Sequence, residues 1–151
     1  MKNRYPALVI ISFFICILDQ LTKFLIIGNL RFLQVINIVP SFNIVYYRNI
    51  GSAFGMFKNL GNIFFIIISS VAIIVIMAVI YREKESGYGF PLILGGAAGN
   101  LVDRLTHGYV IDFLEFYAHK HYWPAFNIAD ASLTIGIVLL LIDSFPGRKD
   151  A

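Results

Sequence analysis

Four long apolar stretches dominate the chain, and polar residues enter them only at particular depths. The cleanest stretch, residues 61–81 (GNIFFIIISSVAIIVIMAVIY), carries no charge. Residues 7–27 are interrupted by Asp19, Gln20 and Lys23, residues 88–104 are rich in Gly and Ala, and residues 126–145 carry Asp130 near their start. A bilayer core about 30 Å thick needs roughly 20 helical residues. The first, second and fourth stretches meet that length and the third falls slightly short. The pattern predicts an all-α membrane protein, a single integral membrane domain over 1–151 with four transmembrane helices. Lys2 and Arg4 give the first stretch the basic start of a signal peptide. No small-x-small cleavage site follows its apolar run, so it reads as a retained first span.

The connections carry a different pattern. Within 28–60, SFNIVYY (41–47) has the β-branched and aromatic content of a strand, and RNIG (48–51) follows as a turn signal. These residues predict a small extracytoplasmic β platform. The connection 105–125 holds Tyr109, Phe113, Phe116, Tyr117, Tyr122 and Trp123, rings suited to a membrane–water interface. The expectation is that 113–123 forms a movable cover rooted at Gly108, closing over a cradle made by 41–47 and the 49–55 turn. Lys2, Arg4, Arg82, Lys84, Arg148 and Lys149 fall on the side of the termini. The positive-inside bias places that side in the cytoplasm, against Arg31, Arg48, Lys58 and Lys120 on the other.

Composition agrees with the membrane class. The chain is 58% hydrophobic and 14% charged, with a mean hydropathy of +0.76, whereas soluble domains carry about 25% charge. A net charge of +3 spread along the chain makes nucleic acid an unsuitable partner. The one cysteine, Cys16, excludes an internal disulfide and a Cys metal cluster, and reads as a small buried hydrophobe.

Charges inside a span are costly, and each marks a candidate site. In the predicted topology Asp19 and Lys23, the set Asn100, Asp103 and Arg104, the pair Asn127 and Asp130, and Asp112 in the second outer connection all reach one depth near the outer surface. Asp19 and Lys23 are spaced i,i+4 and read first as a structural ion pair. Asp103 and Arg104 read equally as an interfacial pair or as part of a site. Asp112 and Asp130 have no neighbouring cation in sequence, and Asp130 stands beside Asn127, so both point to function. Gly95 and Gly99 have the small-xxx-small spacing of closely packed helices. His119 and His121 in H-K-H cannot share a helical face, so a metal site is not expected. A transport or proton-relay protein would spread polar groups through the membrane depth. A lipid-modifying transferase would need a metal or phosphate clamp. Neither pattern is present.

Five segments resemble one family in its own order: DQLTK (19–23), RNIGSAFG (48–55), GGAAGNLVDR (95–104), GYVIDF (108–113) and FNIADAS (126–132). With the stretches between them, the chain resembles the lipoprotein signal peptidases (signal peptidase II) over nearly its whole length. Ile50 and Ser52 depart from the family's usual residues after the Asn of the second motif. The resemblance implies an aspartic endopeptidase of the bacterial inner membrane, multi-pass and monomeric, with both termini cytoplasmic and its active site near the outer leaflet. Such an enzyme cuts the signal peptide from a diacylglyceryl-modified prolipoprotein just before the lipidated cysteine, uses no cofactor or metal, meets its substrate in membrane lipid, and is inhibited by globomycin. By motif position, Asp112 and Asp130 are implied as the catalytic pair. Asn49, Asn100, Arg104 and Asn127 are implied to line the substrate site, with Asp19, Lys23, Asp103 and Gly51 in support.

Overall fold

The computed structural model describes residues 5–51, 61–82 and 87–144. Ser52 and the remainder of the 49–55 turn after it, residues 52–55, lie outside the described residues. So do Lys58 and the cations Lys2, Arg4, Lys84, Arg148 and Lys149, which carry most of the charge bias. The protein is mostly helical, with α1 (Tyr5–Asn29), α2 (Gly61–Arg82), α3 (Gly89–Thr106) and α4 (Ile128–Ser144). Among the described residues, α1 and α2 are long and apolar enough to cross a membrane by length and composition. Glycines and the polar group Asn100, Asp103 and Arg104 dilute α3, and α4 has 17 residues.

α2 buries Ile80 and turns Ile63, Ile67, Val71 and Ile74 outward. So large an unbroken apolar face is stable against lipid tails, not against water. α3 is the central helix, packed by α1, α2 and α4. Its small residues make that arrangement sterically possible. A Cβ on Gly95 would lie 2.6 Å from the Ser12 carbonyl oxygen of α1, and one on Gly96 would lie 2.5 Å from the Ala129 carbonyl oxygen of α4. Cys16 is only half-buried, in the wall of an apolar cavity of about 300 Å³ between α1, α2 and α3.

The outer connections fold together into an antiparallel sheet ordered β1 (Val35–Val39), β2 (Phe42–Asn49), β3 (Val110–Ala118) and β4 (His121–Tyr122). The strand expected at 41–47 runs on to Asn49, so Arg48 and Asn49 are strand residues and the chain bends after them. Opposite β3, β2 carries one extra residue between Ile44 and Tyr47, a bulge that sets Tyr47 against Asp112 and Asn49 against Val110. Val45 and Tyr46, adjacent in sequence, are both buried there.

The stretch 113–123 is not the free aromatic cover expected of it. Its first half is β3, paired along β2, and the backbone N–H groups of Phe113 and Leu114 both donate to the Phe126 carbonyl, at 3.0 and 2.8 Å. Phe113 is 4% exposed and joins Ile26, Tyr46 and Ile111 in a core between α1 and the sheet. Burying that ring outweighs the interfacial preference that an isolated aromatic would have. Gly108, with φ +80°, makes the turn from α3 into β3, a conformation that suits glycine.

Candidate functional site

The start of α4 is built by its own sequence. Asn127 precedes the first helical residue, and its Oδ1 accepts the Asp130 N–H at 2.8 Å. Asp130 Oδ2 accepts the Asn127 N–H at 3.3 Å in return. This is the reciprocal geometry of a capping box, with Asn and Asp in the two places. It sets the Asp130 carboxylate against the positive end of the helix. The i,i+3 spacing of these residues was visible in the sequence, but its capping role was not recognised there.

Asp112 arrives from the sheet. Asn127 Nδ2 donates to Asp112 Oδ1 at 2.9 Å, and Asn49 Nδ2 donates to Asp112 Oδ2 at 3.0 Å. Asn49 Oδ1 is occupied by the Gly51 N–H at 3.1 Å, which turns its amide donors toward Asp112. One residue, Asn127, therefore touches both carboxylates, Asp112 through its side-chain amide and Asp130 through its backbone N–H. Its Nδ2 also lies 3.2 Å from Asn100 Oδ1 and from the Ile111 carbonyl.

Behind this pair lies a buried charge cluster. Lys23, 1% exposed, places its ammonium 2.7 Å from Asp19 Oδ2, 2.9 Å from Asp103 Oδ2 and 3.1 Å from Asn100 Oδ1. An ammonium can only donate, so Lys23 holds the oxygen of Asn100. That leaves Asn100 Nδ2 to donate to Asp130 Oδ1 at 2.8 Å. The remaining carboxylate lone pairs are also used. Asp19 Oδ1 accepts the Ala129 N–H in the first turn of α4 at 2.9 Å, and Asp103 Oδ2 accepts the Ile111 N–H at 2.9 Å. Gln20, which the sequence reading noted only as a polar interruption, donates to Asp103 Oδ1 at 2.8 Å and to the Gly99 carbonyl at 3.0 Å. A Cβ at Gly99 would meet Asp19 Oδ2 at 2.6 Å, so the glycine makes room for the ion pair.

Asp103 and Arg104 do not pair with each other. Consecutive residues on a helix point about 100° apart. Asp103 faces Lys23, while Arg104 crosses to α2 and lays its guanidinium 4.4 Å from the centroid of the Phe65 ring. Beside Arg104 opens a cavity of about 380 Å³ whose lining includes Asn49, Gly51, Phe65, Arg104, Phe126 and Asp130. Phe65 and Phe126 were not anticipated, because an apolar residue in an apolar span carries no signal of its own.

Burial, and next the charge of Asp130, pushes Asp112 up to about 7, against the opposing pull of Asn49, Lys23 and Asn127. Below that pH Asp112 holds a proton that it can share with Asp130. Above it both carboxylates are charged and the acid of the pair is lost. Any hydrolysis that uses the pair as acid and base should therefore fall on the alkaline side. We expect kcat/KM to decline by about tenfold per pH unit above roughly pH 7. A profile flat to pH 9 would contradict this arrangement.

The family model described as "Signal peptidase (SPase) II" matches residues 11–146. The chain belongs to the signal peptidase II family. It is 43% identical over 129 residues to a lipoprotein signal peptidase of Thermodesulfovibrio yellowstonii, covering 85% of this chain and 88% of that one. It is 40% identical over 147 residues to the lipoprotein signal peptidase of Syntrophotalea carbinolica, covering 92% and 91%. A solved structure described as a bacterial membrane enzyme superposes with a TM-score of 0.81 at 30% identity, over 97% of this chain and 93% of that one. A second structure of the same description gives 0.81 at 31%, over 95% of each. This signal peptidase II family member is thus a membrane-embedded protease.

Proposed function

We propose that the protein is an aspartic endopeptidase that removes the signal peptide from diacylglyceryl-modified prolipoproteins by cleaving before the lipidated cysteine, with Asp112 and Asp130 as its catalytic pair. The observation that carries this reading is that Asn127 links Asp112, through its side-chain amide, to Asp130, through its backbone N–H, with Asp130 in the wall of an open cavity. Two carboxylates held this close share one proton more readily than they ionise together. The charged member takes a proton from a water placed between them, and that water attacks the scissile carbonyl. The neutral member donates to the carbonyl oxygen as charge builds there, and a proton then passes to the leaving amine.

The surrounding residues divide the work. Asn49, Asn100 and Asn127 hold the carboxylates in place, and Arg104 faces the substrate peptide. Asp19, Lys23 and Asp103 fasten α1, α3 and α4 around the pair, and Gly51 fixes the amide of Asn49. In this reading the chain is one domain of four transmembrane helices in the bacterial inner membrane, monomeric, with both termini cytoplasmic. The sheet lies at the outer leaflet, where a diacylglyceryl anchor presents its peptide and helps to position the bond. Globomycin is expected to occupy the same cavity.

The test is incubation of the purified protein with a diacylglyceryl-modified prolipoprotein and with its unlipidated counterpart, followed by mass spectrometry. Cleavage immediately before the cysteine of the lipidated form alone is expected. Equal cleavage of both forms, or of neither, would overturn the substrate assignment.

A further inference from the structure

α2 is the most apolar helix of the protein, yet two of its residues grip Arg104 at both ends. Asn62 and Phe65 are spaced i,i+3 and share a face. Asn62 Nδ2 donates at 2.9 Å to the Arg104 carbonyl, one of the last-turn carbonyls of α3 that lack an intrahelical partner. Phe65 presents its ring to the Arg104 guanidinium at 4.4 Å, a distance at which cation and ring attract. Backbone and side chain of one arginine are thereby anchored to one helix. Arg104 Nη1 is nevertheless buried without a hydrogen-bond partner among the described residues, and so is Asn62 Oδ1. Arg104 and Phe65 both line the cavity that reaches Asp130. A buried donor left unmet is costly unless something else fills the position.

We propose that α2 belongs to the substrate site: Asn62 and Phe65 are positioning residues that hold Arg104 so that its unpartnered Nη1 donates to a backbone carbonyl of the bound peptide beside Asp130. The inference rests on the peptidase reading above. Phe65 keeps the guanidinium from swinging out to the lipid headgroups, as a long cationic side chain near a helix end otherwise does. Asn62 fixes the backbone from which the side chain springs.

The test is a kinetic cycle on the lipidated prolipoprotein. Phe65→Leu keeps apolarity and much of the volume but removes the ring face. We expect it to raise KM by roughly tenfold with kcat and melting temperature close to the parent's, and Phe65→Tyr to restore KM. In an Arg104→Gln background Phe65→Leu should add nothing further. An unchanged KM in Phe65→Leu would overturn the proposal. So would the same penalty in the Arg104→Gln background, or a loss of KM and kcat together with melting temperature. Fluorescence anisotropy of a labelled lipidated prolipoprotein on Asp130→Asn protein reads the same cycle as affinity without turnover. The inference can therefore fail while the peptidase reading stands, and can be read where cleavage is absent.

Discussion

Replacement of Asp112 or Asp130 by Asn is expected to lower kcat/KM by roughly 10³- to 10⁴-fold while leaving the protein folded and able to bind substrate. Asn is nearly isosteric with Asp, and each carboxylate already sits among amide donors: Asn49 and Asn127 for Asp112, Asn100 for Asp130. The substitution turns an amide donor toward an existing one and costs about one hydrogen bond, roughly 1–3 kcal/mol. What it removes completely is the capacity to exchange a proton with the attacking water. Because one water is activated by both groups, the double variant should be little slower than either single one. Single-turnover assays with lipidated prolipoprotein check this. Appreciable cleavage by either Asn variant would remove that residue from the chemistry.

Lys23→Met should have the largest effect on stability. The ammonium lies between Asp19 and Asp103 with 1% exposure, and its loss leaves two buried carboxylates without a counter-charge. Breaking a buried ion pair from one side costs about 3–5 kcal/mol, read here as a fall in melting temperature in detergent. Adding Asp19→Asn and Asp103→Asn should recover part of the loss, since the uncompensated charges then vanish. Activity should recover less than stability, because Asn100 would no longer have its oxygen held by Lys23 and its donor would no longer be fixed on Asp130. Parent-like stability of Lys23→Met would contradict the cluster. If Asp19→Asn kept full stability yet abolished cleavage, Asp19 would have to move from the supporting cluster into the chemistry.

The helices were legible because apolar runs of this length admit few other readings. The polar residues were legible because a charge in an apolar run stands out, and their spacing assigned them to shared faces. Pairing between elements was not legible. Asp103 and Arg104 looked like partners as neighbours in the chain, but they point to different helices, and the true partner of Asp103 lies on α1. Gln20 needed the α1–α3 packing before its three acceptors could be seen. β3 was misread because residues 110–116 (VIDFLEF) lack the strict apolar–polar alternation of a half-buried strand, and their rings also suited an interface. The register that sets Tyr47 against Asp112 depends on a bulge in β2, and a bulge of this kind leaves no mark in composition. Phe65 was hidden among the apolar residues of α2, and Asn62, at the helix start, carried no charge to single it out.

The central claim is that Asp112 and Asp130 form one acid–base unit. Its most direct test is a ¹³C titration of the Asp112 side-chain carboxyl in the parent protein and in Asp130→Asn. The account predicts that Asp112 titrates at about 7 in the parent and at a lower pH once the charge of Asp130 is gone. Titration near pH 4 in both proteins, the ordinary range of an isolated aspartate, would contradict it.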